Sequence, residues 1–280
     1  MSTFAAYDGT RLAYHEVGQG PPLLCFPGGP ARASAYLGDL GGLSDFRRLI
    51  LLDSRGTGDS EVPDDPATYR CDRLVEDVEA LRAHLDLDPV DLLGHSASGS
   101  VCLQYAARYP DRLRRLVLVA PSGQPAGLEP TDDEWTAAIQ RRSDEAWYPE
   151  AYAAMERLMA GDVTAETRLA AAPFAYGRWT DATAAHAASG ATQRSPTAAA
   201  GFFEEGWLGD VEKTRAGLAS LAAPVLVVGG ELDLGPTPRL QREIAALFRD
   251  GRSVTLPASG HFPWLDEPAG FVATVREFLD

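Results

Sequence analysis

The sequence of 280 residues contains no asparagine and a single lysine, Lys213, so arginine supplies almost all of its positive charge. We interpret this bias as a mark of GC-rich coding, not of function. Basic residues are scarce overall, and the formal net charge is −15. A surface of this sign repels phosphate backbones and anionic lipid head groups, so we expect neither nucleic acid nor a membrane as a partner. Nothing in the sequence predicts the oligomeric state.

Long apolar runs are absent, since no stretch approaches the roughly 20 residues that cross a bilayer. The start of the chain has neither the basic nor the apolar region of a secretory signal. The three cysteines lie far apart, and an odd, sparse set fits a reducing compartment. We therefore expect a cytoplasmic protein. The patterns of phosphate-binding loops, H-E-x-x-H zinc sites and C-x-x-C sites are also missing, so we expect no metal and no cofactor.

Short apolar runs alternate with helical patterns along most of the chain. A two-residue turn at Asp8-Gly9 predicts a hairpin at the start. The other predicted strands are PPLLCF, RRLILLD, VDLLGH, RLVLVA, PVLVVGG and SVTLP. The predicted helices cover residues 71–87 and 101–109, PRLQREIAALFRD and GFVATVREFLD. This alternation predicts an α/β fold, with a mostly parallel sheet covered by helices on both faces.

The alternation stops between Ala120 and Pro224. This part of the chain is rich in alanine, is helical in tendency and holds four of the five tryptophans. We expect residues 125–210 to form a helical cap inserted into a core made of residues 1–124 and 211–280. The tryptophans could line a pocket or form the seam between cap and core.

The segment VDLLGHSASGS predicts a nucleophile at the end of a strand. In the pattern G-x-S-x-G, small flanking residues allow a sharp turn from strand to helix. Ser96 fits the centre of this pattern if Ser98 replaces the second glycine. Ser98 and Ser100 lie further into the predicted helix, so Ser96 is the better candidate.

A serine nucleophile needs a base, an acid that orients the base, and donors for the oxyanion. His261 follows the last predicted strand and is the best candidate base among five histidines. Asp233 follows the preceding strand and is the candidate acid, with Glu231 as a competitor. The backbone amides of Gly29, in the PGGP loop, and of Ala97 are the candidate donors.

With these motifs in place, nearly the whole chain resembles the α/β-hydrolase family, in its proline iminopeptidase-like branch. The shared motifs are PGGP (27–30), DSRGTGDS (53–60), GHSASG (94–99), GGELD (229–233) and GHFPWLDEP (260–268). The resemblance implies the order nucleophile, acid, base for Ser96, Asp233 and His261. It also implies that a helical cap shapes the pocket and that Arg55 has a structural part.

The sequence departs from the branch in three places. The usual H-G-G-P-G has Pro27 and Ala31 in place of its histidine and last glycine, and Ser98 replaces a glycine. The cap also lacks a clean W-x-x-W-E run. In aminopeptidases of the branch, cap glutamates hold the free amino group of the substrate. The candidates for substrate contacts here are Glu204, Glu205, Asp181 and Trp179.

The sequence therefore predicts a serine hydrolase that cleaves an ester, amide or lactone of a small molecule or short peptide through an acyl-enzyme on Ser96. An aminopeptidase of the proline iminopeptidase type is one form of this hypothesis. Two alternatives remain open. The protein could be a catalytically silent member that binds a ligand, or it could pass its acyl group to an acceptor other than water, as an acyltransferase or cyclase.

Overall fold

A computed structural model describes all 280 residues and contains one eight-stranded sheet. In chain order the strands are β1 (Ser2–Ala5), β2 (Arg11–Val17), β3 (Pro22–Phe26), β4 (Arg48–Leu52), β5 (Val90–His95), β6 (Leu113–Val119), β7 (Val225–Gly230) and β8 (Gly251–Leu256). Their order across the sheet is β1-β2-β4-β3-β5-β6-β7-β8. The pairings of β2 with β1 and β4 are antiparallel, and all others are parallel.

Eleven α-helices accompany the sheet. They are α1 (Cys71–His84), α2 (Ser98–Arg108), α3 (Asp132–Gln140), α4 (Tyr148–Met159), α5 (Ala165–Ala171), α6 (Asp181–Gln193), α7 (Pro196–Phe202), α8 (Val211–Ser220), α9 (Pro238–Ala245), α10 (Pro263–Asp266) and α11 (Pro268–Leu279). Helices α1, α2, α8 and α9 share one apolar core with the sheet, and α10 and α11 share a second core. The predicted α/β class, with helices on both faces, is confirmed.

The central strands are apolar on both faces because helices cover each side of the sheet. Every residue of β5 and β7 is buried. The predicted hairpin is also present, and the carboxylate of Asp8 accepts a hydrogen bond from the Thr10 amide at 3.0 Å. Helix α1 ends at His84, short of the predicted Leu87, because Asp86 has a φ of 53° and leaves the helical conformation. Helix α2 starts at Ser98 and not at residue 101.

Between β6 and β7 the chain is helical and contains no strand, as the sequence predicts. Six α-helices, α3 to α8, form this part, which we call the helical segment (residues 120–224). Helix α8 packs on α2 beside the sheet, and its Leu218 belongs to the first core. The proposed boundaries of a cap at residues 125 and 210 stay a prediction. No helix of the protein combines the length and the apolar character that a membrane crossing requires.

Arg55 of the motif DSRGTGDS forms a buried ion pair with Asp77 of α1. Arg55 has no exposed side-chain surface and donates to both carboxylate oxygens of Asp77, at 2.8 Å from Nε. It also donates to Asp8 at 2.6 Å. Burial raises the pKa of Asp77 to about 6 in spite of the arginine. Arg55 therefore ties the first hairpin to α1, in agreement with the structural part expected for it.

Replacing Arg55 by leucine is expected to lower the free energy of unfolding by about 3–5 kcal/mol, because it leaves Asp77 buried without its partner. Urea denaturation measures this loss. The exposed pair of Arg11 with Glu61 offers the control, since Arg11→Leu should cost less than about 1 kcal/mol. Equal losses in the two variants would contradict the structural role of Arg55.

Candidate active site

Ser96 lies on the turn between β5 and α2 with a φ of 58°, in the left-handed region that non-glycine residues rarely adopt. Its backbone amide donates to the carbonyl of Val119 at 2.9 Å, and its carbonyl accepts from Ser122 at 3.0 Å. A methyl group on Gly28 would overlap the His95 carbonyl and lie 2.8 Å from the Cβ of Ser96. Hydrogen bonds and close packing therefore fix the conformation of the turn, and only glycine fits at position 28.

The three predicted side chains Ser96, His261 and Asp233 lie together in one hydrogen-bonded chain. His261 Nε2 is 2.7 Å from Ser96 Oγ, and His261 Nδ1 is 2.8 Å from Asp233 Oδ2. The Asp233 carboxylate can only accept, so Nδ1 carries the proton of the neutral ring. Nε2 is then free to accept the hydroxyl proton of Ser96. This arrangement can take a proton from the serine as its oxygen attacks an electrophile.

The two candidate acids, Asp233 and Glu231, differ in how deeply they are buried. Asp233 is 3% exposed, and its second oxygen accepts from the Gly235 amide at 3.0 Å. Glu231 is exposed, and its carboxylate accepts from the Ala258 amide and not from His261. The sequence alone placed both carboxylates near the end of β7, and it could not show which of them faces inwards.

The loop that carries His261 is fastened to the helical segment. The His261 amide donates to the carbonyl of Ala175 at 2.8 Å. Asp266, which is buried, accepts from the amides of Gly260 and Gly177, both at 2.8 Å. These contacts leave the imidazole of His261 little freedom to move away from Ser96.

His95 connects the two loops that flank the serine. Its Nδ1 accepts from the Tyr36 hydroxyl at 2.7 Å, and its Nε2 donates to the carbonyl of His261 at 2.9 Å. The Tyr36 hydroxyl in turn accepts from the amide of Gly28 at 2.7 Å. Burial and the nearby His261 hold the pKa of His95 well below its usual value. A neutral ring is required here, because one nitrogen accepts while the other donates.

The two amides predicted for the oxyanion lie on adjoining loops. Neither the Gly29 N–H nor the Ala97 N–H donates to an acceptor within the protein. A methyl group on Gly28, the neighbour of Gly29, would lie 3.2 Å from the Ala97 nitrogen. Ala97 also precedes α2, whose N-terminus carries positive partial charge.

A cavity of about 720 Å³ opens beside His261 and Asp233. The helical segment supplies most of its lining, largely alanine and other apolar side chains from α5 and α6. Phe174 and Tyr176 add aromatic surface, while Arg32 and Arg194 add positive charge. The cavity is therefore mostly apolar with a few polar groups, as is common for small-molecule sites.

The four predicted substrate contacts do not line this cavity. Glu204 and Glu205 lie in an exposed turn after α7, and Asp181 is exposed at the start of α6. Trp179 is partly buried and packs on Tyr176, with ring centroids 5.6 Å apart. A role of these residues in substrate binding stays a prediction, and no contact in the structure supports it.

Sequence reasoning missed Arg32 and Arg194, two charged residues that line the cavity. They are partners in an isolated antiparallel bridge between the loop after β3 and the end of α6. The Arg194 guanidinium donates to the carbonyl of Gly29 at 2.7 Å. Arg32 follows the PGGP motif closely, but no local pattern in the sequence links it to residue 194.

Comparison with known proteins agrees with this architecture. Residues 21–268 match the family model described as alpha/beta hydrolase fold. The chain belongs to the α/β-hydrolase family, and it is a hydrolase by its relatives. Family membership confirms the resemblance expected from the motifs.

Several curated relatives are proline iminopeptidases. The chain is 29% identical to one from Levilactobacillus brevis, covering 92% of this chain and 88% of the relative. It is 27% identical to another from Lactobacillus helveticus, covering 99% and 96%. Among solved structures, an esterase from Rhodococcus sp. ECU1013 superposes with a TM-score of 0.73 at 24% identity, covering 99% of this chain and 98% of the esterase. At that identity the esterase shows the shared fold alone.

Ser98→Gly is expected to keep kcat/KM within about threefold while lowering stability by about 1–2 kcal/mol. The Ser98 hydroxyl contacts the carbonyls of Phe26 at 2.7 Å and His95 at 2.9 Å, and it does not touch Ser96 or His261. Its loss removes one buried hydrogen-bond donor. Ester kinetics and thermal unfolding measure the two effects. A loss of activity as deep as that of Ser96→Ala would mean that Ser98 is the nucleophile.

The contribution of His186 to stability is expected to fall as the pH drops from about 6.5 towards 4. Burial and the neighbouring Arg32 lower the pKa of His186 to about 4 in the folded protein. Below the usual histidine pKa of about 6.5, the unfolded chain therefore binds a proton that the folded chain does not. The stabilisation is complete above pH 6.5 and is lost as the pH falls through this window.

His186→Gln should reduce this pH dependence by at most about 1.4 kcal/mol per pH unit, the limit for one proton. Urea unfolding at several pH values between 7 and 4 measures the slope. Thr192→Ala, on the same helix, removes an exposed polar group that does not titrate and should keep the original slope. An unchanged slope in His186→Gln would contradict the expectation.

Proposed function

We propose that the protein is a cofactor-independent serine hydrolase that cleaves an ester, amide or lactone through an acyl-enzyme on Ser96. The hydrogen-bonded chain from Ser96 through His261 to Asp233 is the observation that carries the proposal. A base that lies 2.7 Å from the nucleophile on one side and 2.8 Å from an orienting acid on the other completes the set that acyl transfer requires.

The reaction proceeds in two halves. Ser96 Oγ attacks the substrate carbonyl while His261 Nε2 takes the hydroxyl proton. Asp233 holds Nδ1–H and stabilises the imidazolium that forms. The Gly29 and Ala97 amides, free of protein acceptors, donate to the oxyanion. His261 then gives its proton to the leaving group, and the acyl-enzyme forms. A water molecule, activated by His261, attacks this ester, releases the acid and restores Ser96.

The arrangement favours this proposal over the silent binding protein considered above, because ligand binding alone needs no oriented base. Rapid hydrolysis of p-nitrophenyl acetate that is lost in His261→Ala would argue against silent binding. Transfer to another acceptor uses the same residues up to the acyl-enzyme. Product analysis with competing alcohols or amines separates the acyltransferase or cyclase from the hydrolase.

Aminopeptidase activity of the proline iminopeptidase type is a second candidate, and the curated relatives favour it. Such an enzyme binds a free amino group, for which Glu204 is the predicted partner. Prolyl p-nitroanilide offered beside simple esters tests this candidate. Cleavage that is abolished in Glu204→Gln and retained in Glu205→Gln would support it.

The cytoplasmic location stays a prediction.

Ser96→Ala is expected to lower kcat by about 10⁴-fold or more, with Asp233→Asn lowering it to a similar extent. Hydrolysis of p-nitrophenyl butyrate measures the rates, and a fluorophosphonate probe should label the unaltered protein but not the Ser96→Ala variant. Ser100→Ala is the matched control, because the Ser100 hydroxyl contacts Ser122 and not the base. Full turnover in Ser96→Ala without labelling of the unaltered protein would overturn the proposal.

A further inference from the structure

Arg32 differs from the other buried arginines of this protein. Five arginines are buried, and four of them have a carboxylate within 4.0 Å. Those four are Arg47, Arg55, Arg82 and Arg142. Arg32 is only 3% exposed and has no carboxylate partner. Burying a charge without a counter-ion costs several kcal/mol, so an unpaired guanidinium at this depth requires an explanation.

A second unpaired arginine lies beside the first. Arg194 forms no ion pair, and its single hydrogen bond goes to the carbonyl of Gly29. A methyl group on Gly190 would lie 3.5 Å from Arg194 Nε and 3.9 Å from Arg32 Cζ, so the two guanidinium groups flank the same glycine. Burial and Arg32 lower the pKa of Arg194 to about 10, and Arg168 adds to the effect. Two positively charged side chains therefore lie next to each other in one partly buried region.

The groups around the pair do not neutralise it. Arg32 donates to neutral acceptors, which are Gln193 Oε1, the His186 carbonyl and Ser189 Oγ. Its guanidinium also lies 4.4 Å from the centre of the Tyr36 ring. Burial raises the pKa values of Tyr36 and Tyr176, so both phenols stay uncharged. Arg32 Nη1 and Arg194 Nε and Nη2 have no acceptor within the protein, and these donors remain available to a ligand.

Both arginines line the cavity that contains His261 and Asp233. The hydrogen bond to Gly29 brings Arg194 to the loop whose Gly28 packs against Ser96. Two carboxylates line the cavity wall, and neither pairs with Arg32 or Arg194. Asp233 is hydrogen-bonded to His261, and Glu166 is exposed and forms no ion pair. The net charge of the protein is −15, so the charge of this pocket is opposite in sign to that of the protein as a whole.

We propose that Arg32 and Arg194 bind a carboxylate of the substrate, so that the enzyme acts on esters or related acyl compounds that carry a negative charge. This inference rests on the proposed hydrolase function and names its substrate class. A guanidinium presents several N–H donors in a plane and pairs well with a carboxylate. A substrate with a free amino group would meet repulsion at the same place.

Matched ester pairs test the proposal on the unaltered protein. On the acyl side, mono-p-nitrophenyl glutarate is compared with p-nitrophenyl valerate, which has a methyl group in place of the carboxylate. On the leaving-group side, 4-butyryloxybenzoate is compared with its methyl ester. In one of the two pairs the charged ester should have a kcat/KM at least about tenfold higher, in keeping with a charged hydrogen bond. The preference should decrease with added salt.

Arg194→Gln should reduce this preference, the ratio of the two kcat/KM values within a pair, by about tenfold or more. Because the variant also removes the hydrogen bond to the Gly29 carbonyl, the ratio and not the rate of the neutral ester is the readout. Arg194→Lys should recover part of the preference, because it keeps the charge. Arg252→Gln is the matched control, since Arg252 is exposed near the start of β8, at the opposite end of the strand from the active site. Equal rates for both members of each pair, unchanged in Arg194→Gln, would overturn the proposal.

A binding measurement separates this inference from the proposed hydrolase function. Glutarate titrated calorimetrically into the Ser96→Ala variant should bind saturably, and the binding should vanish when Arg194→Gln is added. If the protein hydrolysed none of the esters but still bound glutarate through Arg194, the hydrolase proposal would fail while the carboxylate site stood. If neutral esters were hydrolysed and glutarate did not bind, the hydrolase proposal would stand and the carboxylate site would fail.

Discussion

The hydrogen bond between His261 Nε2 and Ser96 Oγ joins residues that lie 165 positions apart in the chain, and the candidate site depends on it. Each partner is held by a separate set of contacts. Ser96 is fixed in a left-handed conformation by hydrogen bonds to the last residue of β6 and to the loop that follows it, and by the close packing of Gly28. His261 is fixed by Asp233 on one side and by Ala175 of the helical segment on the other. The parallel strands make this convergence possible, because their carboxyl ends meet at one edge of the sheet.

The sequence sufficed for the parts of the site that follow from local structure. Ser96 could be singled out from Ser98 and Ser100 because a buried strand precedes it and small residues surround it. His261 could be singled out because it follows the last strand. The choice of Asp233 over Glu231 needed burial, which differs between residues two positions apart and depends on how the loop folds back on the helical segment.

The walls of the cavity could not be predicted in the same way. Arg32 and Arg194 are paired in an isolated antiparallel bridge between segments that lie more than 160 residues apart in the chain. No periodic pattern in the sequence predicts this pairing. The adjacent acidic residues Glu204 and Glu205 stood out in the sequence, yet they occupy an exposed turn away from the cavity. Charge pattern alone does not distinguish a solvated turn from a binding group. The burial of a charged side chain without a counter-ion, as in Arg32, adds information that only the three-dimensional structure provides.

The departure of the PGGP loop from the family pattern is connected with the same bridge. Ala31 stands where the proline iminopeptidase-like branch has a glycine, and it keeps the left-handed conformation with a φ of 54°. Such a conformation costs a non-glycine residue about 1–3 kcal/mol and persists only where neighbouring contacts impose it. Here the carbonyl of Ala31 accepts from Ser195 at 3.0 Å, and the amide of Ala33 donates to Gln193 at 2.8 Å. These two hydrogen bonds flank Arg32 and Arg194, so the contacts that hold Ala31 in its strained conformation also bring the two guanidinium groups together in the wall of the cavity that His261 lines.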